Sequence, residues 1–279
     1  SWDIAFDNAL DILRLARKLE GADRAVLTTT MLSVGYRAAA LETLQQVIAM
    51  APLDKDRAQR WLDALPDYRS DASAWKRMWA VEYQQWKSLL AWISDRAEQE
   101  YRAGGQGGPA VDFSEAEIQA LKKETQRTLA AFADMTRAYQ RVSENDCLDL
   151  EALPAGPGSG VGNPSKEESE GLADLAISVN APDYRDFFVR RCTQDTALAA
   201  TQTLIALKAF QQDLGRLPEH LGDLVPNYLE AIPTDTFGGD PIQYSRAEKM
   251  LYSRGTSAAR EGLASPPDAA FALHYPIEF

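Results

Sequence analysis

Along the first 145 residues apolar side chains recur at alternating steps of four and three, the period of a helix with one buried face. Trp2, Phe6, Ala9, Leu13 and Ala16 fall on one such face over residues 2–19. "EGAD" interrupts the pattern at Gly21, and from about residue 24 to 50 Leu27, Met31, Val34, Ala38, Leu41 and Ile48 resume it. Two amphipathic helices separated by so short a break pack as an antiparallel hairpin. Pro52 ends the second helix, Asp54 caps a short third in "LDKDRAQRWLDAL", and Pro66 closes it.

A long fourth helix follows from about 71 to 101, with Trp75, Trp79, Trp86, Leu90 and Ile93 on one face. "AGGQGGPA" at 103–110 turns the chain. The fifth helix opens with Ser114 and Glu117 in the spacing of a capping box. These helices differ too much in length for a solenoid, and no fixed repeat period is present. Residues 1–150 therefore read as a helical domain of about five helices. Composition changes sharply at "LPAGPGSGVGNPSKEESEG", where bulky apolar residues almost vanish, so 151–171 reads as a linker or long surface loop.

Residues 172–279 read as a helix leading into a small β-meander. The helix places Ala197, Ala200, Leu204, Leu207 and Leu214 on one face and stops at Gly215 and Pro218. Pro218 opens a short helical turn with Leu221, Leu224 and Val225 inward, and Pro226 ends it. Tyr228, Leu229 and Ile232 are expected beneath a sheet made from "PIQYS", "KMLYS" and "AFALHY", reached through a turn carrying Pro233, Asp235 and the pair Gly238-Gly239. The fold class is mainly α, ending in a small α+β module. Leu204 and Leu207 are expected to pack against Ile242, Tyr244 and Tyr252 of that sheet.

This tail resembles the C-terminal half of the major pseudopilin of type II secretion systems. The matching residues are Gly215, Arg216 and Pro218, then Leu221, Leu224, Val225 and Pro226, then Pro233, Asp235 and Gly238, with Tyr244 and Leu251-Tyr252-Ser253 in the strands. The likeness covers roughly the last third of the chain, and the tail is also similar to bacterial envelope proteins in which a helical region precedes such a module. In pseudopilins the methylated Phe and apolar helix stand immediately before the module, whereas here about 190 residues of other sequence intervene. The resemblance thus implies a pseudopilin-like module on a different protein, outside the cytoplasm. The family's calcium loop corresponds to "TSAAREGLASPPDAA", which offers only Glu261 and Asp268 as acids. Calcium takes roughly six to eight oxygen ligands, so no metal or other cofactor is expected.

Charge narrows the partners. With a net charge of −12 and its Lys and Arg scattered, the chain lacks the basic cluster that a nucleic-acid surface needs. No apolar run approaches the roughly 20 residues that span a bilayer. The chain opens directly into a helical pattern without Met, so the expectation is that a segment was removed upstream, which a membrane anchor would explain.

Each candidate for chemistry has a plainer reading. "GPGSGVGNPSK" fits neither a phosphate loop nor a nucleophile elbow and reads as linker. Trp75, Trp79 and Trp86 offer an interaction face for sugar rings or a partner helix, yet their spacing is also what core packing demands. Asp54 with Asp56, and Glu167 with Glu168, read as solvated charge rather than an acid–base pair. The two histidines, His220 and His274, lie within the pseudopilin-like tail, where the resemblance implies no catalysis.

The expected function is that of a non-enzymatic extracytoplasmic protein acting through contacts with envelope proteins, related to secretion or pili. The alternatives are an envelope hydrolase using carboxylates and the Trp face, or a ligand-binding module of the helical domain. If the tail places the chain in an oxidising compartment, Cys147 and Cys192 have one possible intramolecular pairing, across the linker. The competing reading is two small buried thiols that never meet.

Overall fold

The computed structural model describes residues 1–23, 25–65, 69–102, 114–144, 147, 184–253 and 273–279. They form α1 (Trp2–Glu20), α2 (Leu27–Met50), α3 (Lys55–Ala64), α4 (Ala72–Arg102), α5 (Glu115–Glu144) and α6 (Tyr184–Leu214). A short 3-10 turn (Leu221–Leu224) leads to β1 (Gln243–Ser245), β2 (Met250–Ser253) and β3 (Leu273–Pro276), an antiparallel meander in the order β1-β2-β3. The protein is mainly helical with a small sheet near its C-terminus, as its periodicity indicates. The segment 151–171 and residues 254–272, including Glu167, Glu168, Glu261 and Asp268, lie outside the described residues.

Helix α6 organises the molecule. Every residue from Thr203 to Phe210 is buried, so the helix has no solvent side along those two turns. A helix surrounded in this way has to be apolar or internally satisfied all round, and this one is: Thr201 and Thr203 return their hydroxyls to the carbonyls of Ala197 and Ala199. One core joins α1, α2, α3 and α6 to the tail, with Phe6 stacked on Trp61 at 4.2 Å between ring centres. That core crosses the compositional division at residue 151, because Leu204, Ile205 and Leu207 of α6 share it with Leu41, Leu44 and Ile48 of α2 and with Leu251 and Tyr275 of the sheet.

Polar groups of α6 finish the ends of its neighbours. Lys208 donates to the carbonyl of Ala49 in the last turn of α2 at 3.0 Å, where cations complement the helix dipole. Gln212 accepts from the backbone of Leu53 just before α3. Asp54 caps α3 by accepting from the Arg57 backbone at 2.8 Å, and Ser114 and Glu117 form the expected box at the start of α5. Gly215, at φ 67°, ends α6 in the left-handed region that favours glycine.

A second core lies beneath the α4–α5 hairpin. Its α5 seam runs Ile118, Leu121, Thr125, Thr128, Phe132, Met135, Tyr139 and Val142, a three-four repeat of coiled-coil type. Near the turn of the hairpin Ala97, Ile118 and Leu121 form a separate small cluster. The buried polar residues Ser94, Thr125 and Thr128 lie between it and the aromatic base. At the base, Trp79 stacks on Tyr139 at 4.7 Å and on Phe188 of α6 at 5.8 Å.

Several expected faces are corrected. Trp2 is only part covered, and Met31 and Leu214 are exposed. On α2 the expected Leu27, Val34, Leu41 and Ile48 are buried, but Thr30, Ser33 and Arg37 turn inward as well, Arg37 to meet the Asp195 carboxylate of α6. In β2 it is Leu251, not Tyr252, that enters the core: Leu251 and Ser253 share the inner face and Tyr252 takes the outer one.

Candidate functional site

The chemically richest place in the described residues is a buried ion cluster where α1, α2, α4 and α6 meet. Arg191 and Asp195 stand one turn apart on α6, so both point to the same side. Asp195 receives the Arg37 guanidinium of α2 at 2.7 Å and the Ser70 backbone N–H at 2.9 Å, together with the Ser70 hydroxyl. Arg191 donates from Nε to Ser70 Oγ at 2.9 Å and from a terminal guanidinium nitrogen to the Ser143 carbonyl at 3.3 Å, and its Cζ lies 5.3 Å from the ring centre of Trp75. Glu20, the last residue of α1, accepts from Trp75 Nε1 at 2.6 Å and from the Asp71 backbone at 3.2 Å. Asp71 in turn accepts from the backbones of Ser73 and Ala74 in the first turn of α4.

The two carboxylates are driven in opposite directions. Burial alone raises Asp195, but Arg37, then Arg191 and the Ser70 hydrogen bonds, outweigh it and hold the carboxyl below its ordinary range. Glu20 is raised, because burial outweighs the attraction of Arg37 and the hydrogen bond from Trp75. A serine bonded to a carboxylate invites a nucleophilic reading. A carboxylate held below its usual pKa is a poor proton acceptor, however, and Arg191 already occupies the serine oxygen. The cluster is chemically a lock: it ties four helices together through charge that is satisfied only when all are in place.

The two cysteines lie beside this lock. Cys147, just beyond α5, and Cys192 of α6 form a disulfide with their Cα atoms 6.0 Å apart, and both are buried. It joins the base of the α4–α5 hairpin to α6 across 45 positions of sequence, a closure worth about 4 kcal/mol in the chain-entropy picture. The reading of two separated thiols is overturned.

Trp75, Trp79 and Trp86 sit in the second core and are 1%, 0% and 8% exposed, so they form no interaction face. The hairpin turns them towards α5 and α6, where Phe132, Tyr139 and Phe188 cover them. This removes the surface on which the hydrolase reading depended. His220 precedes the 3-10 turn and His274 lies on β3, both exposed. Asp54 is occupied in capping α3. Among the described residues no group of three His, Cys, Asp or Glu side chains is placed to hold a metal ion.

The tail has a polar centre of its own. Asp235, 3% exposed, accepts from Thr196 of α6 at 3.1 Å, from the Phe237 backbone at 3.0 Å and from Ser253 of β2 at 2.6 Å. Thr236 bonds the Cys192 carbonyl at 3.0 Å, so the turn before the sheet is fastened to α6 beside the disulfide. Tyr244 of β1 donates to the Pro218 carbonyl at 3.1 Å. Elsewhere, an open groove of about 580 Å³ on the α4–α5 hairpin is lined by Lys76, Asp134, Arg137, Gln140 and Arg141.

Sequence reasoning missed the ion cluster. One signal was present: Arg37 is the single basic residue of α2, set in a helix whose only other charge is Glu42. No protein-family model matches the chain, and no curated protein or solved structure matches it significantly.

Proposed function

We propose that this chain is an extracytoplasmic protein that works through protein–protein contacts in the bacterial envelope, with a pseudopilin-like module built onto a helical body. The observation that carries this reading is the buried disulfide between Cys147 and Cys192, since such bonds persist in oxidising compartments and are rare in the cytosol. The tail supports it. The residues that carry the pseudopilin resemblance bond to one another, Tyr244 to Pro218 and Ser253 to Asp235, so they act as one structural unit.

The partners are envelope proteins of secretion or pilus type, and the helical body presents the surface they use. Locating the protein in its own host tests this: after spheroplasting, the full-length chain fractionates with the periplasm or envelope and is open to added protease. Recovery in the cytosol, protected from protease until lysis, refutes the proposal.

A second reading, ligand binding by the helical part, draws on the groove lined by Lys76, Asp134, Arg137, Gln140 and Arg141, where Asp134 pairs with Arg137 and the excess of basic side chains favours an anion. Calorimetric titration with inorganic phosphate and with an acidic peptide separates the readings; heat from neither discards the second.

A further inference from the structure

Two buried glutamates fasten α4 to the helices beneath it. The first turn of α2 has no cap of its own, since Val26 offers no side-chain oxygen, and Glu82 of α4 accepts its Leu27 N–H at 3.5 Å. Glu20 at the end of α1 does the same for α4, accepting the Asp71 N–H just before that helix. Each carboxylate also receives an indole N–H of α4, Glu20 from Trp75 at 2.6 Å and Glu82 from Trp86 at 3.1 Å.

Neither glutamate has a cation bonded to it. Glu20 is 3% and Glu82 9% exposed, and among the described residues neither forms an ion pair. Around Glu20, Arg37 of α2 attracts it, but that guanidinium is hydrogen-bonded to Asp195 of α6, whose own charge repels Glu20. Arg191 of α6 is engaged with Ser70 and Ser143, and Asp71 meets Glu20 through its backbone. Around Glu82, α2 offers the Leu27 amide and α5 the Phe132 ring packed on Trp86, and no charged group acts on it. A buried carboxylate served by neutral N–H groups is costly to ionise.

We infer that Glu20 and Glu82 make the seating of α4 on α1 and α2 depend on protonation, tight in mild acid and looser as pH rises. In both, burial is the largest influence and raises the carboxyl above its ordinary 4.5 against the opposing hydrogen bonds. Below 4.5 the stability from these sites is complete, and it is withdrawn as pH climbs through the folded values. Asp195 is shifted the other way, so the lock on α6 takes no part.

The far end of the hairpin cannot follow α4. Cys147, just beyond α5, is bonded to Cys192, and Arg191 donates to the Ser143 carbonyl, so the end of α5 stays pinned to α6. A loosened α4 therefore swings about this tether and reseats when acid returns. The device does not depend on the compartment proposed above.

Hydrogen exchange read by mass spectrometry on the intact, oxidised protein tests this from pH 4.5 to 8, with rates corrected for the intrinsic pH dependence of exchange. Amides at 27–30 and 72–86 lose protection as pH rises, by roughly tenfold or more over the range because the effects of the two sites multiply. Amides at 204–210 in the shared core keep theirs. Glu20→Gln with Glu82→Gln, a neutral acceptor at each place, flattens the profile, and circular dichroism confirms that the variant is folded. Should the double variant not fold, the wild-type profile and Glu82→Gln alone decide. Protection at 72–86 that is flat or rises with pH, a parallel loss at 204–210, or a pH profile that survives the substitutions would each overturn the inference.

Discussion

Replacing Asp195 by Ala tests whether the buried cluster is the lock described above. Arg37 and Asp195 approach to 2.7 Å with side chains 5% and 4% exposed, so water cannot replace the lost carboxylate. The change leaves the Arg37 guanidinium buried without its hydrogen-bonded counter-charge, the Glu20 carboxyl acting on it only at longer range; its Nε already lacks a hydrogen-bond partner among the described residues. Arg191 loses its nearest anion but keeps the Ser70 hydroxyl and the Ser143 carbonyl. Breaking one partner of a buried pair costs about 3–5 kcal/mol, which lowers the melting temperature by roughly 6–20 °C for a chain of this size. Urea unfolding followed by circular dichroism measures the loss. The double variant Arg37→Met with Asp195→Leu removes both charges and should lose less than Asp195→Ala alone. Acid closes the gap between wild type and Asp195→Ala. The folded carboxyl lies below its ordinary 3.8, so its contribution is complete above that value and disappears as pH falls towards the folded pKa. A loss under about 1 kcal/mol, or Arg37 and Asp195 effects that simply add, would refute the reasoning.

Leu204, 3% exposed at the junction of α2, α6 and the sheet, should cost about 2–5 kcal/mol on replacement by Ala; an unchanged urea midpoint would show that α6 does not carry the core. Glu20→Gln should gain on the wild type as pH rises above 4.5. The raised folded pKa of Glu20 supports stability below that value and withdraws it as pH climbs through the folded pKa, so stability curves that stay parallel across pH 4–8 would contradict this. Millimolar Ca²⁺ should leave the melting temperature unchanged, since a bound ion would raise it by mass action; a rise reversed by chelator would show a calcium site.

Where one side of a helix meets water, its periodicity carried the fold. The spacing in α1 and α4 located both the helices and, apart from Trp2, their inner faces, while Asp54 and the Ser114–Glu117 pair marked the starts of α3 and α5. On α2 it located Leu27, Val34, Leu41 and Ile48, but it missed Thr30, Ser33 and Arg37, which also turn inward, Arg37 to meet Asp195 of α6, and it misplaced Met31, which is exposed. It also failed to show that α6 is central, because a helix buried on all sides has no polar face to contrast with its apolar one. The disulfide was legible as a possibility from an even cysteine count. The ion cluster was not: Glu20, Arg37, Ser70, Arg191 and Asp195 come from distant stretches that only the tertiary fold brings together. Choosing Tyr252 over Leu251 shows how a one-residue step in a four-residue strand exchanges its faces.

Trapping thiols in living cells of the native host, with a maleimide added before lysis and the intact chain then weighed, tests the central claim most directly. A protein that lives in an oxidising compartment, with Cys147 and Cys192 joined at the base of the hairpin, gains no adduct until it is denatured and reduced, and then gains two. Two adducts on denatured but unreduced protein from those cells would contradict both the bond and the compartment assigned from it.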